Sequence, residues 1–150
     1  MYNAIKEVPE ITNLVQIGIR DLGQTEWDLI CNSEFKVVTY FDKDLKERQF
    51  EGQTWKSIVD EIVDKLPEKV YISFDVDGLD PKLCPNTGTP VPGGLEVEQA
   101  FYLFKSVLRS GRKLIGFDLV EVGIGENNWD ANVGARVLWK LCNLLVQSNN

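Results

Sequence analysis

The sequence predicts an α/β protein with a mostly parallel β-sheet. Four short apolar runs, rich in β-branched residues, alternate along the chain with longer amphipathic stretches of helical period. The length of 150 residues, of which 43% are hydrophobic and 26% charged, is that of one globular domain. Because a helix between two strands forms a right-handed crossover, this alternation places the strands parallel in a sheet.

The first half of the chain supplies two strands and one helix. Leu14–Ile19 and Lys36–Tyr40 have the composition of strands. A helix is predicted over Gln53–Leu66, because its apolar residues recur on one helical face and Pro67 ends the pattern.

The second half supplies two strands and two helices. Lys69–Asp75 and Leu114–Val120 predict the third and fourth strands. A helix is predicted over Glu96–Arg109, which Gly111 stops, and a last helix over Asp130–Val146.

Charge and cysteine content limit the classes of partner. The net charge of −7 and a pI near 4.6 argue against binding to nucleic acid or to anionic membranes. No apolar run reaches the roughly 18–20 residues of a membrane span, and the first residues lack the apolar segment of a signal peptide. Three widely spaced cysteines without a Cys-x-x-Cys pair are typical of reduced thiols. We therefore expect a cytoplasmic protein.

Three acidic residues follow predicted strands and form a candidate site. Asp75 and Asp77 end the third strand, and Glu121 ends the fourth. Ligands of parallel sheets bind beyond the carboxyl ends of the strands. Two adjacent carboxylates repel each other, and a divalent cation removes that repulsion. The alternative is that the aspartates cap the following turn.

Two other motifs compete for this run. A calcium loop counted from Asp75 fails, because position 5 is Leu79 and position 12 is Asn86. Phe74–Gly78 resembles the nucleophile strand of haloacid-dehalogenase-like phosphatases. The residues that follow, Leu79–Pro81, depart from that family's pattern.

A longer resemblance covers most of the chain. The stretch Ser73–Leu95, which contains Thr-Gly-Thr-Pro after Ser-Phe-Asp-Val-Asp, closely resembles the signature of the ureohydrolases, the arginase and agmatinase family. Phe117–Val122 resembles that family's later strand-end motif, in the right order along the chain. Asn13–Arg20 and Asp130–Leu145 are also similar to family segments.

The resemblance implies a reaction and a set of site residues. Ureohydrolases use two manganese ions to hydrolyse a guanidino C–N bond to urea and an amine. Asp75 and Asp77 match the family's paired metal ligands in this motif. Glu121 matches the acid that receives the guanidinium of the substrate, and Thr89 matches a position at the substrate end of the pocket. No residue of this chain matches a catalytic histidine.

The sequence lacks the other half of the family's metal site. It contains no histidine, and the family's Gly-Gly-Asp-His and Asp-x-His-x-Asp motifs are absent. Residues 1–150 therefore resemble a single partial domain, the C-terminal half of a ureohydrolase. We expect little or no turnover from this chain alone. The alternative is a catalytically silent remnant that binds a metal or a partner.

The resemblance also implies an incomplete fold. Ureohydrolases have an eight-stranded parallel sheet in a three-layer αβα sandwich, and the strand that carries the second metal motif lies between two strands present here. Its loss predicts a gap inside the sheet, with exposed edges that promote association. We expect a homo-oligomer, or a chain that depends on a missing N-terminal half.

Overall fold

The computed structural model describes residues 2–31 and 36–150, which form helices and strands in alternation. The strands are β1 (Leu14–Ile19), β2 (Val37–Phe41), β3 (Lys69–Asp75) and β4 (Lys113–Val120). The helices are α1 (Tyr2–Glu7), α2 (Gln24–Cys31), α3 (Asp42–Phe50), α4 (Trp55–Asp64), α5 (Val97–Arg109) and α6 (Trp129–Asn149). None of these helices combines the length and apolarity required to cross a membrane.

All four predicted strands and all three predicted helices are present, with ends that agree with the prediction or differ from it by up to three residues. Local side chains fix some of these ends. Thr54 accepts a hydrogen bond from the Ser57 amide at 3.2 Å and starts α4. At the start of α5, the Gln99 side chain accepts from the Glu96 amide at 3.0 Å, which is half of a capping box.

Helices α1, α2 and α3 were not predicted. In α3, Leu45 is the only apolar residue before the terminal, exposed Phe50, and it is buried together with Asp42. One buried leucine produces no apolar stripe of helical period, so the pattern that revealed the other helices is missing here. Contact with β1 and β2 holds α3 in place.

The four strands form two separate parallel pairs. Strand β1 pairs with β2, and β3 pairs with β4, each pair in parallel register. The predicted α/β fold with parallel strands is therefore confirmed. The described strands do not join into one sheet, because β1 and β3 lie in different two-stranded sheets. This agrees with the expected gap.

The core lies between β3, β4 and the helices α4, α5 and α6. Phe74 of β3 packs edge-on against Phe104 of α5 with ring centroids 5.9 Å apart, and Phe101 meets Phe104 at 5.6 Å. Ile58 and Ile62 of α4 are completely buried. This packing fixes β3 and β4 so that their carboxyl ends reach the same edge of the molecule.

The three cysteines are free thiols in different surroundings. Cys31 and Cys142 are exposed, whereas Cys84 is buried. Burial, aided by the negative charge of Asp130, raises the pKa of the Cys84 thiol to about 11. Since the thiolate is the reactive form, and a rise of two pKa units lowers its fraction about a hundredfold, Cys84 is expected to be inert.

We predict that a thiol reagent at pH 8 labels two cysteines of the native chain quickly. The third, Cys84, should react only after denaturation. Mass spectrometry of the labelled peptides measures this directly, and Cys84→Ser is the control that removes the slow phase. Rapid labelling of Cys84 in the native chain would contradict its burial.

Candidate functional site

The carboxyl ends of β3 and β4 bring the three predicted acids to one edge. Asp75 is the last residue of β3 and lies opposite Val120, so Glu121 follows at the end of the neighbouring strand. A short 3₁₀ turn over Val76–Gly78 carries Asp77 directly beyond Asp75. The placement expected from the sequence is therefore found.

Asp75 also shapes the turn that follows it. Its Oδ1 accepts a hydrogen bond from the Asp77 amide at 3.0 Å, so the capping interpretation holds for this oxygen. Partial burial raises the pKa of Asp75, the Asp77 amide opposes that rise, and the charges of Asp77 and Glu121 add to it. The edge is thus an acidic cluster, and within it the pKa of Asp75 is raised.

A loop returns from Asp80 to this edge and places Thr89 against Asp77. The Thr89 hydroxyl donates to Asp77 Oδ2 at 2.8 Å. Two backbone hydrogen bonds close the loop: the Asp80 amide donates to the Leu95 carbonyl, and the Leu95 amide donates to the Gly78 carbonyl, both at 3.0 Å. Thr89 therefore orients one of the two candidate metal ligands.

Glu121 has a backbone conformation that is rare for its residue type. Its φ is 61°, the only positive φ of a non-glycine residue in the described part of the chain. The Thr87 hydroxyl donates to its carbonyl at 2.9 Å. A Cβ atom on Gly88 would lie 2.7 Å from Glu121 Oε2, so a larger residue there would require this carboxylate to move. Strain of this kind is concentrated at functional sites.

Arg20 joins β1 to this edge, a role that the sequence did not reveal. Its guanidinium donates to the carbonyls of Val91 at 3.1 Å and of Gly18 at 3.0 Å, and also to the carbonyls of Asp77 and Gly78. Arg20 forms no salt bridge within the described residues. It fixes the backbone of the turn that carries Asp77.

Asp42 supports the same loop from inside. It is buried at the start of α3, and its Oδ2 accepts from the Gly94 amide at 3.1 Å. Its Oδ1 has no hydrogen-bond partner among the described residues. The contact with Gly94 cannot be anticipated from the sequence, because the partner is a backbone amide 52 residues away.

Comparison with known proteins identifies the family. The model of the Arginase family matches residues 1–143, which include all four candidate site residues. The chain belongs to the arginase family. The ureohydrolase resemblance of the signature at Ser73–Leu95 is thereby confirmed.

Individual arginase-family relatives cover most of this chain. An N(1)-aminopropylagmatine ureohydrolase of Thermus thermophilus is 47% identical over 109 residues, which are 73% of this chain and 34% of the relative. The mitochondrial arginase-2 of Mus musculus is 33% identical over 121 residues, 81% of this chain and 33% of the relative. A solved structure of a hypothetical agmatinase from Burkholderia thailandensis superposes with a TM-score of 0.74 at 28% identity.

The match covers most of this chain but less than half of each relative. The chain spans about a third of the length of these curated relatives, and 97% of it covers 43% of the Burkholderia structure. Arginase-family membership disfavours the phosphatase interpretation of Phe74–Gly78. The roles of Asp75, Asp77, Thr89 and Glu121 stay predictions.

The described residues do not by themselves fit a pair of manganese ions. Manganese favours about six oxygen or nitrogen ligands in an octahedral arrangement. Asp75 and Asp77 offer carboxylate oxygens, one of which is bound by the Thr89 hydroxyl and one by the Asp77 amide. Within residues 2–31 and 36–150, no three His, Cys, Asp or Glu side chains are grouped to hold a metal ion. The described residues supply part of a metal site at most.

We predict that Glu121→Gly stabilises the chain by about 1 kcal/mol at pH 7. Glycine adopts a positive φ without the penalty of an L side chain, roughly 1–2 kcal/mol, although it adds entropy to the unfolded state. The same change also removes a negative charge that raises the pKa of Asp75. Urea unfolding followed by circular dichroism measures the difference.

Glu126→Gly is the matched control for this prediction, because Glu126 lies in the same loop without a positive φ. It should lose up to about 1 kcal/mol, the usual cost of added backbone entropy. An equal loss in both variants would show that Glu121 is not strained.

Proposed function

We propose that this chain is the C-terminal portion of a manganese-dependent ureohydrolase of the arginase and agmatinase type. The full protein would hydrolyse a guanidino C–N bond to urea and an amine. The observation that carries the proposal is the meeting of Asp75, Asp77, Thr89 and Glu121 at one edge of an arginase-family chain. We further propose that residues 1–150 form one partial domain, which is inactive alone.

Each of these residues has a chemical task in the proposal. Asp75 and Asp77 would be this chain's ligands to manganese, and the Thr89 hydroxyl holds Asp77 in one orientation. Glu121 would receive the substrate, because a fixed carboxylate can accept two N–H bonds from a planar guanidinium. The remaining metal ligands would come from outside these 150 residues. The three free cysteines support a reducing compartment, and a cytoplasmic location is part of the proposal.

Release of urea tests the proposal. The chain is mixed in manganese with the part of the Thermus thermophilus relative that it does not cover, and urea is measured from agmatine and from arginine. We expect urea from the mixture and none from either part alone. Asp77→Asn and Glu121→Gln should each abolish it, whereas Asp60→Asn, on the exposed face of α4, should not.

The other outcomes identify the alternatives. Urea from the isolated chain would show that its own residues complete the site. No urea from the mixture, with both parts folded, would support a silent remnant that binds a metal or a partner, which the shortage of grouped ligands among the described residues also favours. Hydrolysis of p-nitrophenyl phosphate that Asp75→Asn abolishes would favour the phosphatase instead.

A further inference from the structure

In the described part of the chain, Arg20 is a cation without an anionic partner. Its guanidinium donates to four backbone carbonyls, those of Gly18, Asp77, Gly78 and Val91. It forms no salt bridge with a described residue, although the cavity that it lines has several carboxylates in its wall. A guanidinium forms its strongest hydrogen bonds with carboxylates, so Arg20 uses the weaker class of acceptor.

Asp42 is the converse, a buried carboxyl group with one oxygen unpaired. It is 5% exposed and is the first residue of α3. Its Oδ2 accepts from the Gly94 amide at 3.1 Å, whereas its Oδ1 has no hydrogen-bond partner among the residues that the structure describes. Among those residues, it is the only buried side-chain oxygen or nitrogen in this condition. Buried polar atoms are nearly always hydrogen-bonded, so this exception requires an explanation.

Arg20 and Asp42 lie next to each other at Gly93. The position of a Cβ atom on Gly93 would be 3.3 Å from Arg20 Cδ and 2.7 Å from Asp42 Oδ2. Both side chains therefore border the same point, and residue 93 has no side chain to separate them. The guanidinium is attached just beyond Cδ, so rotation about the Cγ–Cδ and Cδ–Nε bonds moves it while Cδ stays in place. A change of rotamer at these bonds brings the guanidinium to the Asp42 carboxylate.

Each arrangement of Arg20 leaves some groups unpaired. Bound to the carbonyls, Arg20 ties β1 to the turn that carries Asp77 but leaves Asp42 Oδ1 without a donor. Bound to Asp42, it would gain charge-assisted hydrogen bonds and release the carbonyls. The residues that carry those carbonyls line a cavity of about 1020 Å³, which is large enough for water to replace the guanidinium. Neither arrangement satisfies every group, which is the condition for two states of similar free energy.

We infer that Arg20 is a latch that moves between the four backbone carbonyls and the Asp42 carboxylate. On the carbonyls, the latch holds the turn of Asp77 and the loop at Val91 against the end of β1. On Asp42, it releases both, so that the orientation of Asp77 at the acidic edge varies. The inference concerns contacts inside this chain and stands whether or not the proposed reaction occurs.

Nuclear magnetic resonance of the 150-residue chain tests the latch directly. Relaxation dispersion at the Nε–H group of Arg20 should reveal exchange between two states on the microsecond-to-millisecond timescale, with about 1–10% of the second state. Asp42→Asn should abolish this exchange, because asparagine has no charge to attract the guanidinium. Absence of exchange at Arg20 in the wild-type chain would overturn the inference, and that measurement does not depend on the folding of a variant.

Arg48 and Asp21 supply matched controls for this measurement. Arg48 Nε donates to Gln53 Oε1 at 2.8 Å and its Nη2 donates to Glu61 Oε2 at 2.5 Å, so Arg48 already has a carboxylate partner. It should show no exchange in the wild-type chain or in the variant. Asp21 follows Arg20 in the chain and is exposed, so Asp21→Asn should leave the exchange at Arg20 unchanged. Loss of the exchange in Asp21→Asn would make Asp21 the partner and would contradict the latch.

Hydrogen exchange separates the latch from a purely structural role of Asp42. With the latch, Asp42→Asn should keep Arg20 on the carbonyls and slow the exchange of the amides at 77–79 about tenfold. If Asp42 only supports the loop through Gly94, its loss should loosen the loop and quicken the exchange of those amides. Arg20→Lys should quicken it as well, because an ammonium group has three donors and cannot bind four carbonyls. Faster or unchanged exchange in a folded Asp42→Asn variant would show that the latch does not exist.

Discussion

Replacing Gly94 by alanine should cost the chain about 3–4 kcal/mol of unfolding free energy, because strain and overpacking each contribute about 1–3 kcal/mol. Gly94 has φ +96°, which an L side chain rarely adopts. The added Cβ would also lie 2.6 Å from the carbonyl carbon and oxygen of Leu79 and 2.8 Å from the Asp80 amide nitrogen. These are backbone atoms, so relief requires the chain to separate at the hydrogen bonds that Leu95 forms with Asp80 and Gly78.

Gly52 supplies a matched control for this prediction. Its φ of +97° is nearly the same as that of Gly94, but no atom lies within 4 Å of the position of an added Cβ. Gly52→Ala should therefore cost only the conformational penalty, about 1 kcal/mol. Urea unfolding of both variants separates the two effects, and equal losses would show that the close approach at Leu79 is unimportant.

The consequence of Gly94→Ala should reach the candidate site. The loop that Gly94 closes presents Thr89 to Asp77. Gly93 and Gly94 both have a positive φ, which lets this loop turn tightly close to the site. Gly88 differs, since its small size makes room for the Glu121 carboxylate.

Elements with strong periodicity could be predicted from the sequence. The bounds of β3, Lys69–Asp75, agree with the prediction at both ends, because a buried alternation precedes two acids and a turn. Helix α4 buries Ile58, Val59, Ile62 and Val63, the same apolar face that its sequence shows. Burial on one face leaves a clear repeat in the amino acids.

Other features leave no such repeat. Helix α3 is held by contacts with two strands rather than by an apolar stripe, so its sequence resembles a loop. The pairing of β1 with β2 and of β3 with β4 depends on contacts between distant segments. The expectation of a gap came from the family resemblance, because nothing in the local sequence marks a strand edge as unpaired.

Some features of the candidate site could likewise be predicted from the sequence, and others could not. Asp75, Asp77 and Glu121 could be placed together because each follows a parallel strand. The hydroxyl of Thr89 on Asp77, the guanidinium of Arg20 on four carbonyls and the strained backbone of Glu121 could not be predicted. Their partners are backbone groups or loop residues, and sequence patterns report burial rather than such contacts.

Asp130→Ala is expected to cost about 3 kcal/mol, because hydrogen bonds to a charged group contribute about 1.5–3 kcal/mol each and the helix N-terminus favours the negative charge. Asp130 lies at the start of α6 and is fully buried. Its carboxylate accepts from the Asn86 amide at 2.9 Å and from the Asn86 side chain at 2.8 Å. Alanine would leave both donors of Asn86 without this acceptor.

The loss of stability in Asp130→Ala should also affect the loop that leads to the site. Asn86 adjoins Thr87, whose hydroxyl binds the Glu121 carbonyl, so Asp130 connects α6 to the strained residue at the acidic edge. Hydrogen exchange should therefore quicken at residues 84–89 in Asp130→Ala before global unfolding. A double-mutant cycle with Asn86→Ala should give a coupling of at least about 1 kcal/mol.

Asp60→Ala provides the comparison for Asp130. Asp60 also lies on a helix and has a partner, Lys56 at 2.6 Å, but both side chains are more than half exposed. Solvent screening leaves such an exposed pair with little effect on stability. If Asp130→Ala proved as mild as Asp60→Ala in urea unfolding, the loop would not depend on the buried carboxylate. The loss of unfolding free energy in Asp130→Asn should lie between the losses in Asp130→Ala and Asp60→Ala. The amide group of asparagine can replace only one of the two acceptor oxygens.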